Sequence, residues 1–479
     1  MPSSVFSLFC SAHAVCLSLR MHSQTLPPVH AEPLPTAAIQ RQRWLVAVLV
    51  LLHALLLIHD LADPQAWRAG DRSWARAEKI EYVLHGDQPM VFEHLPRQQP
   101  EPDIWNRITR LGAPGDFLPQ TALVAVGGIP LLVLVQSLLA VISAVFLYRL
   151  IMLLGLSSGP AVIGTAIYAL LPGNLLQAHV LGAEGLFIPL LPISAYWVVA
   201  ALRGRAPSHW LYRGAALFGI AALLRTQMVL LPLVFLLLAL VWAPRRWHRI
   251  LVLATALTMA PNLIWVGLAS LADEPVRMAP VDADTSYHWR HRIWRMNKYI
   301  PEAEAMPSPT KRDRVETSTL LAYIAEHPGA YLRTVLTDNL DYIGNPGSVQ
   351  FVRYLGVLGE MPDPEVFKAA KDRGVAAVIQ ALLDWNAAFT VFFAVHIVLW
   401  GAVLLLAAFG MWQWLRAPLL GSPWSTALLI AYFGYNLAVI QLAGHSRWSL
   451  RQPLEWVLVL AALSGALPLL RSRREAHPS

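Results

Sequence analysis

The first candidate for catalysis is Asp71, in the charged stretch that follows the first apolar segment. A carboxylate at the water-facing end of a helix bundle can take a proton from a hydroxyl group and act as a general base. Asp71 also precedes a predicted helix from Trp74 to Leu84, where it could instead be a helix cap. Other acids in the same region compete for the catalytic role: Asp60, Asp63, Asp87 and Asp116.

Two further charges lie at the ends of apolar runs. Glu184 begins one such run, where an ionisable group is costly unless it faces a cavity or a partner. It could equally extend into water at the membrane interface. Arg225 separates two apolar runs. Its guanidinium could bind a phosphate group through two parallel hydrogen bonds, or it could be a charge in a short turn.

A third group of polar residues opens the last apolar run: His445, Arg447 and Arg451, with Glu455 following. Two arginines four residues apart can share one face of a helix, and together they would suit an anionic lipid headgroup. His291 lies in a stretch rich in Arg and Trp, and His288 precedes it by three residues. This spacing is a weak metal motif, and a lid or a solvated amphipathic patch would explain it as well.

The composition indicates a membrane protein, whose helices must position these residues. The 479 residues are 56% hydrophobic and only 14% charged, with a mean hydropathy of +0.48. A soluble domain rarely has such values. The net charge of +7 does not require a nucleic-acid partner, because Arg residues in short cytoplasmic loops explain it. Both cysteines, Cys10 and Cys16, are near the N-terminus, so we expect no disulfide framework in the body of the chain.

We predict an all-α polytopic membrane protein with about ten transmembrane helices of roughly 17–25 residues. They lie near residues 43–60, 131–154, 159–179, 184–202, 211–226, 227–243, 248–271, 387–413, 424–443 and 453–471. The basic residues between them fall on one side if both termini are cytoplasmic. These are Arg41, Arg43, Arg203, Arg205, Arg213, Arg245, Arg246, Arg249, Arg416, Arg471, Arg473 and Arg474.

The opposite, extracytoplasmic side then carries two large loops. The chain divides into an extension expected to be disordered or to precede the true start (1–40), an N-terminal transmembrane module (41–271) with a catalytic first outer loop (61–130), a second outer loop or small helical domain (272–386), and a C-terminal transmembrane module (387–479). Met21 is an alternative start. The second loop has helical patterns from Leu320 to Ile343, broken at Pro328, and over 364–384.

Several short elements occur in the order that one family of membrane enzymes shows. They are Gly70-Asp71 and Gly86-Asp87 after the first span, Pro114-Gly115-Asp116, Ala183-Glu184-Gly185-Leu186-Phe187, Leu224-Arg225, His327-Pro328 with Tyr331, and Arg447 with Arg451 and Pro453. On these elements the chain resembles the GT-C glycosyltransferases over roughly residues 43–471. It resembles in particular the bacterial membrane branch that includes protein O-mannosyltransferase-like and lipid A aminoarabinose transferase-like enzymes.

The resemblance implies transfer of a sugar from a polyprenyl-phosphate donor to an acceptor on the extracytoplasmic face of the bacterial inner membrane. Asp71 would be the general base, and Glu184 would orient the acceptor or share that role. Donor phosphate and lipid would contact Arg225, Arg447, Arg451 and His445. The acceptor, which could be a glycan, a lipid or a protein, would contact Asp87, Asp116 and His291.

Two other functions stay open on the sequence. In an O-antigen ligase-like transferase the Arg/His cluster at 288–295 would carry catalysis and Asp71 would be dispensable. A transporter or flippase would place ionisable residues within spans and often shows inverted repeats. The need for a metal is also open, since Asp71 with Glu184 could hold Mg²⁺ or Mn²⁺. The sequence indicates membrane lipids as partners and no nucleic acid.

Overall fold

The computed structural model describes most of the chain. The described residues are 35–63, 65–69, 73–86, 104, 107, 108, 115, 117–225, 228, 230–242, 245–271, 293–301, 317–344, 347–358, 366, 370, 373–416, 423–443 and 448–476. Over these ranges the chain is helical and forms no strand, which confirms the predicted all-α class. Some predicted site residues lie outside the described ranges: Asp71, Asp87, Asp116, His291, His445 and Arg447.

Fifteen α-helices are described along the chain. In chain order they are α1 (Thr36–Ala62), α2 (Ser73–His85), α3 (Leu118–Leu153), α4 (Ser158–Leu170), α5 (Pro172–Gln177), α6 (Ala183–Leu202), α7 (His209–Leu224), α8 (Leu231–Trp242), α9 (Arg245–Ala269), α10 (Thr317–Glu326), α11 (Pro328–Gly344), α12 (Ser348–Tyr354), α13 (Val375–Arg416), α14 (Pro423–Ala443) and α15 (Trp448–Ala476).

Helical structure occupies every region predicted to span the membrane. Among the described residues, five helices are long and apolar enough to cross a bilayer: Thr36–Ala62, Leu118–Leu153, Ala183–Leu202, His248–Ala269 and Ala376–Arg416. Two further apolar helices, Ser158–Leu170 and Thr426–Ala438, are shorter. These are the helices of a multi-pass membrane protein.

The helices predicted between the spans are also present. The pattern from Trp74 to Leu84 forms α2, and the pattern from Leu320 to Ile343 forms α10 and α11, which meet at Pro328. Of the stretch 364–384, the part from Val375 belongs to α13.

The helix α3 is longer than the predicted span because the apolar segment before Gly127 joins it. The two parts meet at a kink, where Gly127 and Gly128 leave the helical conformation and Pro130 follows. Gly128 has a φ of +69°, a conformation that costs little only for glycine. The kink therefore follows from this Gly-Gly-x-Pro sequence.

One face of α1 packs into the protein and the other is bare. Its buried residues, Gln42, Leu49, His53 and Leu56, are separated by seven, four and three positions and so lie on one helical face. That face packs against α3 and α4. The opposite face exposes large apolar side chains: Trp44, Val48, Leu51, Leu55, Ile58 and Leu61. An exposed apolar stripe of this kind is what a lipid-facing helix presents.

The remaining long helices pack around α6 and α15. The helix α6 lies between α3 and α7, α7 contacts α9, and α15 contacts α13, α4 and α6. The pair α13 and α15 approaches closely because two glycines meet at the contact. A Cβ atom on Gly410 would lie only 1.8 Å from the carbonyl oxygen of Ala461, and one on Gly465 only 2.2 Å from that of Leu406. Small residues at such contacts let helix backbones approach in membranes.

We expect Gly410→Ala to destabilise the protein, because the methyl group would meet backbone atoms that cannot move without separating the helices. Overpacking a tight core typically costs ~1–3 kcal/mol. Gly401→Ala is the matched control, since Gly401 lies in the same helix with no atom within 4 Å of an added Cβ. The thermal unfolding midpoint of the detergent-solubilised protein is the measurement. Equal midpoints for the two variants would contradict the close contact.

Candidate functional site

A buried carboxylate, that of Glu184, is shared between two arginines at one end of the bundle. Glu184 lies in the first turn of α6 and is 3% exposed. Its Oε2 is 2.9 Å from Nη2 of Arg76, and its Oε1 is 2.5 Å from Nη2 of Arg225. The position suits an anion, because the unpaired N–H groups of a helix N-terminus favour negative charge. We call this the Glu184 site, and the end of the bundle where α1 ends and α6 begins the site end.

The helix α2 brings Arg76 to this carboxylate. Ser73 and Arg76 are three residues apart and therefore share a face of α2. Both contact the carbonyl oxygen of Leu181, in the link between α5 and α6: the Ser73 hydroxyl donates at 2.9 Å and Nη1 of Arg76 at 3.3 Å. The helix is thus fixed against the residues that lead directly into Glu184.

The same link is held from the other side by α3. The amide Nε2 of Gln136 donates to the carbonyl oxygen of Gly182 at 3.3 Å. Close packing also requires a glycine at position 185, where a Cβ atom would lie 2.4 Å from the carbonyl oxygen of Gln177 and 2.6 Å from Nε2 of Gln136. The backbone around Glu184 is therefore fixed by α2, α3 and α5 together.

A glycine of the first loop lies beside Arg225. Arg225 is the residue that ends α7, with an extended backbone. A Cβ atom on Gly115 would lie 2.1 Å from the carbonyl oxygen of Leu223 and 2.2 Å from the Cα atom of Leu224. Gly115, which the sequence analysis selected separately, thus packs against the residues that position Arg225.

Two guanidinium groups share one carboxylate at the Glu184 site. The side chain of Arg76 is 9% exposed, whereas that of Arg225 is 20% exposed and reaches the surface of the site. Through its guanidinium, Arg225 can bind the oxygens of an anion such as a phosphate group. The cluster does not suit Glu184 as a ligand of Mg²⁺ or Mn²⁺, because both carboxylate oxygens already face cations.

A second polar cluster joins α1 to the second loop. The carboxylate of Asp60 accepts a hydrogen bond from the Tyr354 hydroxyl at 2.6 Å, and its other oxygen lies 2.6 Å from Nδ1 of His179. Nε2 of His179 lies 3.0 Å from Nδ1 of His53 and 3.4 Å from the Ser137 hydroxyl. Burial, and then the bond to Asp60, raise the pKa of Tyr354, so this hydroxyl stays protonated and remains a donor.

A small cavity lies between the two clusters. Its volume is about 30 Å³, enough for one or two water molecules. The cavity is lined by Leu49, His53, Ala140, Tyr168, Ala169, Asn174, Gln177, Ala178, Glu184, Gly185, Ile188 and Pro189. His53 of the second cluster and Glu184 therefore border the same space.

The structure places Arg451 in a different environment from Arg225. Arg451 is fully buried, and its Nη2 and Nε lie 2.7 Å and 3.2 Å from Oε1 of Glu455, one turn further along α15. Its Nη1 donates to the carbonyl oxygen of Ile343 at 3.0 Å, and its guanidinium lies 4.8 Å from the ring centre of Trp400. A phosphate group at Arg451 would have to compete with these internal partners.

The predicted site residues are thus brought together only in part. Glu184 and Arg225 are in direct contact, and Arg451 pairs with Glu455 instead. Of the Arg/His cluster at 288–295, the described Arg295 pairs with buried Asp338 at 2.9 Å. Over the described ranges, no group of three or more His, Cys, Asp or Glu side chains is placed to hold a metal ion.

The sequence analysis missed Arg76, His53, His179 and Tyr354, and it named Asp60 only as a competing acid. A histidine inside an apolar span is itself a signal, since ionisable groups within membranes are rare and usually functional. Arg76 lies one turn after Ser73 at the start of the predicted helix. The sequence could therefore have identified the helical face that carries both residues as a candidate site. No feature of the sequence places Tyr354, because its contact depends on how the second loop folds back on α1.

Comparison of the chain with protein-family models gives no match, and a search among curated proteins gives no match either.

We expect Glu184→Gln to destabilise the protein more than Arg76→Met. Removing Glu184 leaves two guanidinium groups without their shared carboxylate, whereas in Arg76→Met the carboxylate keeps Arg225. Breaking a buried ion pair by removing one partner typically costs ~3–5 kcal/mol. The midpoint of unfolding in detergent, compared between the two variants, is the measurement.

Glu81→Gln is the control for these two variants, because Glu81 is an exposed acid on α2 that pairs with the exposed His85 at 3.5 Å. Surface changes of this kind are usually within about 0.5 kcal/mol. A Glu184→Gln protein as stable as the Glu81→Gln protein would show that the ion pairs do not hold α2 and α7 to α6.

Proposed function

We propose that this protein is an integral membrane glycosyltransferase of the GT-C type. It transfers a sugar from a polyprenyl-phosphate donor to an acceptor in the cell envelope, in a lipid or glycan glycosylation step. In the proposal the chain spans the bacterial inner membrane about ten times, with two large loops and the Glu184 site on the extracytoplasmic side.

One observation carries the proposal: the buried Glu184 carboxylate holds the partly exposed guanidinium of Arg225 at the end of the spans. A polyprenyl-phosphate donor needs a cation there, because its leaving group is a phosphate that gains charge as the bond to the sugar breaks. A membrane-level site also suits a donor whose tail lies among the helices.

The chemistry requires a proton acceptor as well as a cation. The acceptor hydroxyl attacks the anomeric carbon of the sugar, and the phosphate leaves with the electron pair of the bond that breaks. A base that removes the hydroxyl proton accelerates this step. We assign that role to Asp71, which precedes Ser73 by two positions in the sequence, and Ser73 contacts the link that leads into Glu184.

The other predicted residues, except Arg451, keep their proposed roles. Arg225, Arg447 and His445 would bind the donor phosphate and lipid, while Asp87, Asp116 and His291 would contact the acceptor. Glu184 would hold Arg76 and Arg225 in place and orient the acceptor. Arg451 would act on the donor only after exchanging its bond to Glu455, so we give it mainly the role of holding α15 against α11.

Transport of a lipid-linked sugar is the second candidate function. The observation that favours it is the fully buried pair of Arg451 and Glu455 within α15, since transporters place paired charges inside their spans. A transporter would move the intact donor across the membrane of proteoliposomes, whereas the transferase consumes the donor.

We expect purified wild-type protein to transfer a radiolabelled monosaccharide from a synthetic polyprenyl-phosphate donor to an envelope extract, and Asp71→Asn to lose the activity. Loss of a general base typically costs about 10²–10⁴-fold in rate. His291→Ala, assayed beside it, separates the proposal from an O-antigen ligase-like reaction. Full activity in Asp71→Asn with none in His291→Ala would replace our mechanism with the latter.

Mass spectrometry of surface lipids and glycans from a deletion strain would then identify the product. An accumulated acceptor that lacks one sugar is the expected result. Unchanged surface chemistry, together with movement of intact donor across proteoliposomes, would establish transport instead.

A further inference from the structure

A continuous series of hydrogen bonds runs from the second loop to the cavity beside Glu184. It joins Tyr354 to Asp60 at 2.6 Å, Asp60 to His179 at 2.6 Å, and His179 to His53 at 3.0 Å. The side chains are shielded from solvent: that of His179 is 0% exposed and that of Asp60 is 9% exposed. We call His53, His179 and Asp60 the histidine relay.

The partners fix the positions of the protons in the histidine relay. A carboxylate only accepts, so Nδ1 of His179 carries a proton and donates it to Asp60. Nε2 of a neutral His179 then has a lone pair, and Nδ1 of His53 must donate to it. The proton of His53 is therefore on Nδ1, which leaves Nε2 of His53 as a proton acceptor.

The Asp60 carboxylate can compensate for the charge of one added proton. When His53 takes a proton on Nε2, its Nδ1 proton can pass to His179, whose positive charge then faces the Asp60 carboxylate. A carboxylate hydrogen-bonded to a histidine stabilises the imidazolium in this way. One added proton is thus shared by two rings and neutralised by one carboxylate.

We propose that the histidine relay is a proton-accepting site for the cavity that His53 and Glu184 both line. The inference rests on the proposed function. During sugar transfer the acceptor O–H bond breaks, its oxygen bonds to the anomeric carbon, and the phosphate leaves with its electron pair. The histidine relay takes up the released proton at Nε2 of His53 and holds it between His53 and His179 opposite Asp60.

Other titratable groups border the relay from each neighbouring element that the structure describes. His59 lies beside Asp60 on α1, with its Nδ1 3.8 Å from Oδ1, and Tyr354 contacts Asp60 from α12. Tyr168 of α4 and Glu184 of α6 line the cavity that His53 faces. His59 contacts the same carboxylate without belonging to the series of hydrogen bonds, which makes it a matched control.

The first experiment needs no substrate. The protein, labelled with ¹⁵N at histidine and placed in nanodiscs of phosphatidylethanolamine and phosphatidylglycerol, is titrated with acid and followed by NMR. His53→Gln and His179→Gln assign the signals. We expect His53 and His179 to carry their protons on Nδ1 and to respond together to one added proton. Asp60→Asn should lower the proton affinity of the pair about tenfold or more, and His59→Gln should leave it unchanged.

The second experiment measures sugar transfer. We expect His53→Gln to lower kcat and shift its pH profile while the KM for the polyprenyl-phosphate donor stays the same, and His59→Gln to behave as wild type. Asp60→Asn serves as a second variant if His53→Gln does not fold. Wild-type kcat in both His53→Gln and Asp60→Asn, with Asp71→Asn inactive, would overturn the relay and leave the proposed function standing.

The two experiments separate the two ideas. If wild-type protein transfers no sugar, the proposed function fails, and the titration alone decides whether the pair accepts a shared proton. Independent titration of the two rings, or equal effects of Asp60→Asn and His59→Gln, would overturn the relay whatever the outcome of the transfer assay.

Discussion

The arrangement at the site end depends on one interaction, the sharing of the Glu184 carboxylate between Arg76 and Arg225. The three residues come from α2, α6 and α7, which lie far apart in the sequence. A carboxylate buried to this degree is stable as an anion only where opposite charges compensate for the lost water. The two arginines supply that compensation, and in return Glu184 fixes a helix of the first loop and the end of α7 against the bundle.

The glycines around this interaction show how closely the backbone must approach. Gly115 lies against Leu223 and Leu224, and Gly185 lies against Gln177. In both places a side chain would occupy space that another backbone already fills. Close backbone contacts therefore surround the ion pairs. These contacts exclude water from the charged groups and hold them in one geometry.

The sequence predicts the helices well and the site only in part. Apolar runs and Pro328 were sufficient to place α1, α6, α10 and α11, because these features act locally along the chain. The contact between Glu184 and Arg225 joins two residues that the sequence analysis had selected separately. Arg451 shows the limit of such reasoning: its charge suggested a phosphate, yet its burial and its partner Glu455, one turn away, depend on how α15 packs against α11 and α13.

The histidine relay shows why long-range contacts escape a reading of the sequence. His53 and Asp60 lie seven residues apart on α1 and so share a face, but His179 and Tyr354 reach them from distant segments. No periodic pattern records such a meeting. The sequence does show a histidine and an acid on one face of an apolar helix. Because burying ionisable groups in a membrane costs free energy, such residues require partners.

The exposed apolar face of α1 connects the geometry of the histidine relay to the thickness of the surrounding membrane. A helix of 27 residues is about 40 Å long, and a typical hydrocarbon core is about 30 Å thick. Such a helix adjusts to a thicker or thinner bilayer by changing its tilt. Because α1 carries both His53 and Asp60 while His179 belongs to another element, a change of tilt alters the distances within the series. Under the proposed relay, the acyl-chain length of the surrounding lipids would therefore affect how readily a proton passes between the two histidines.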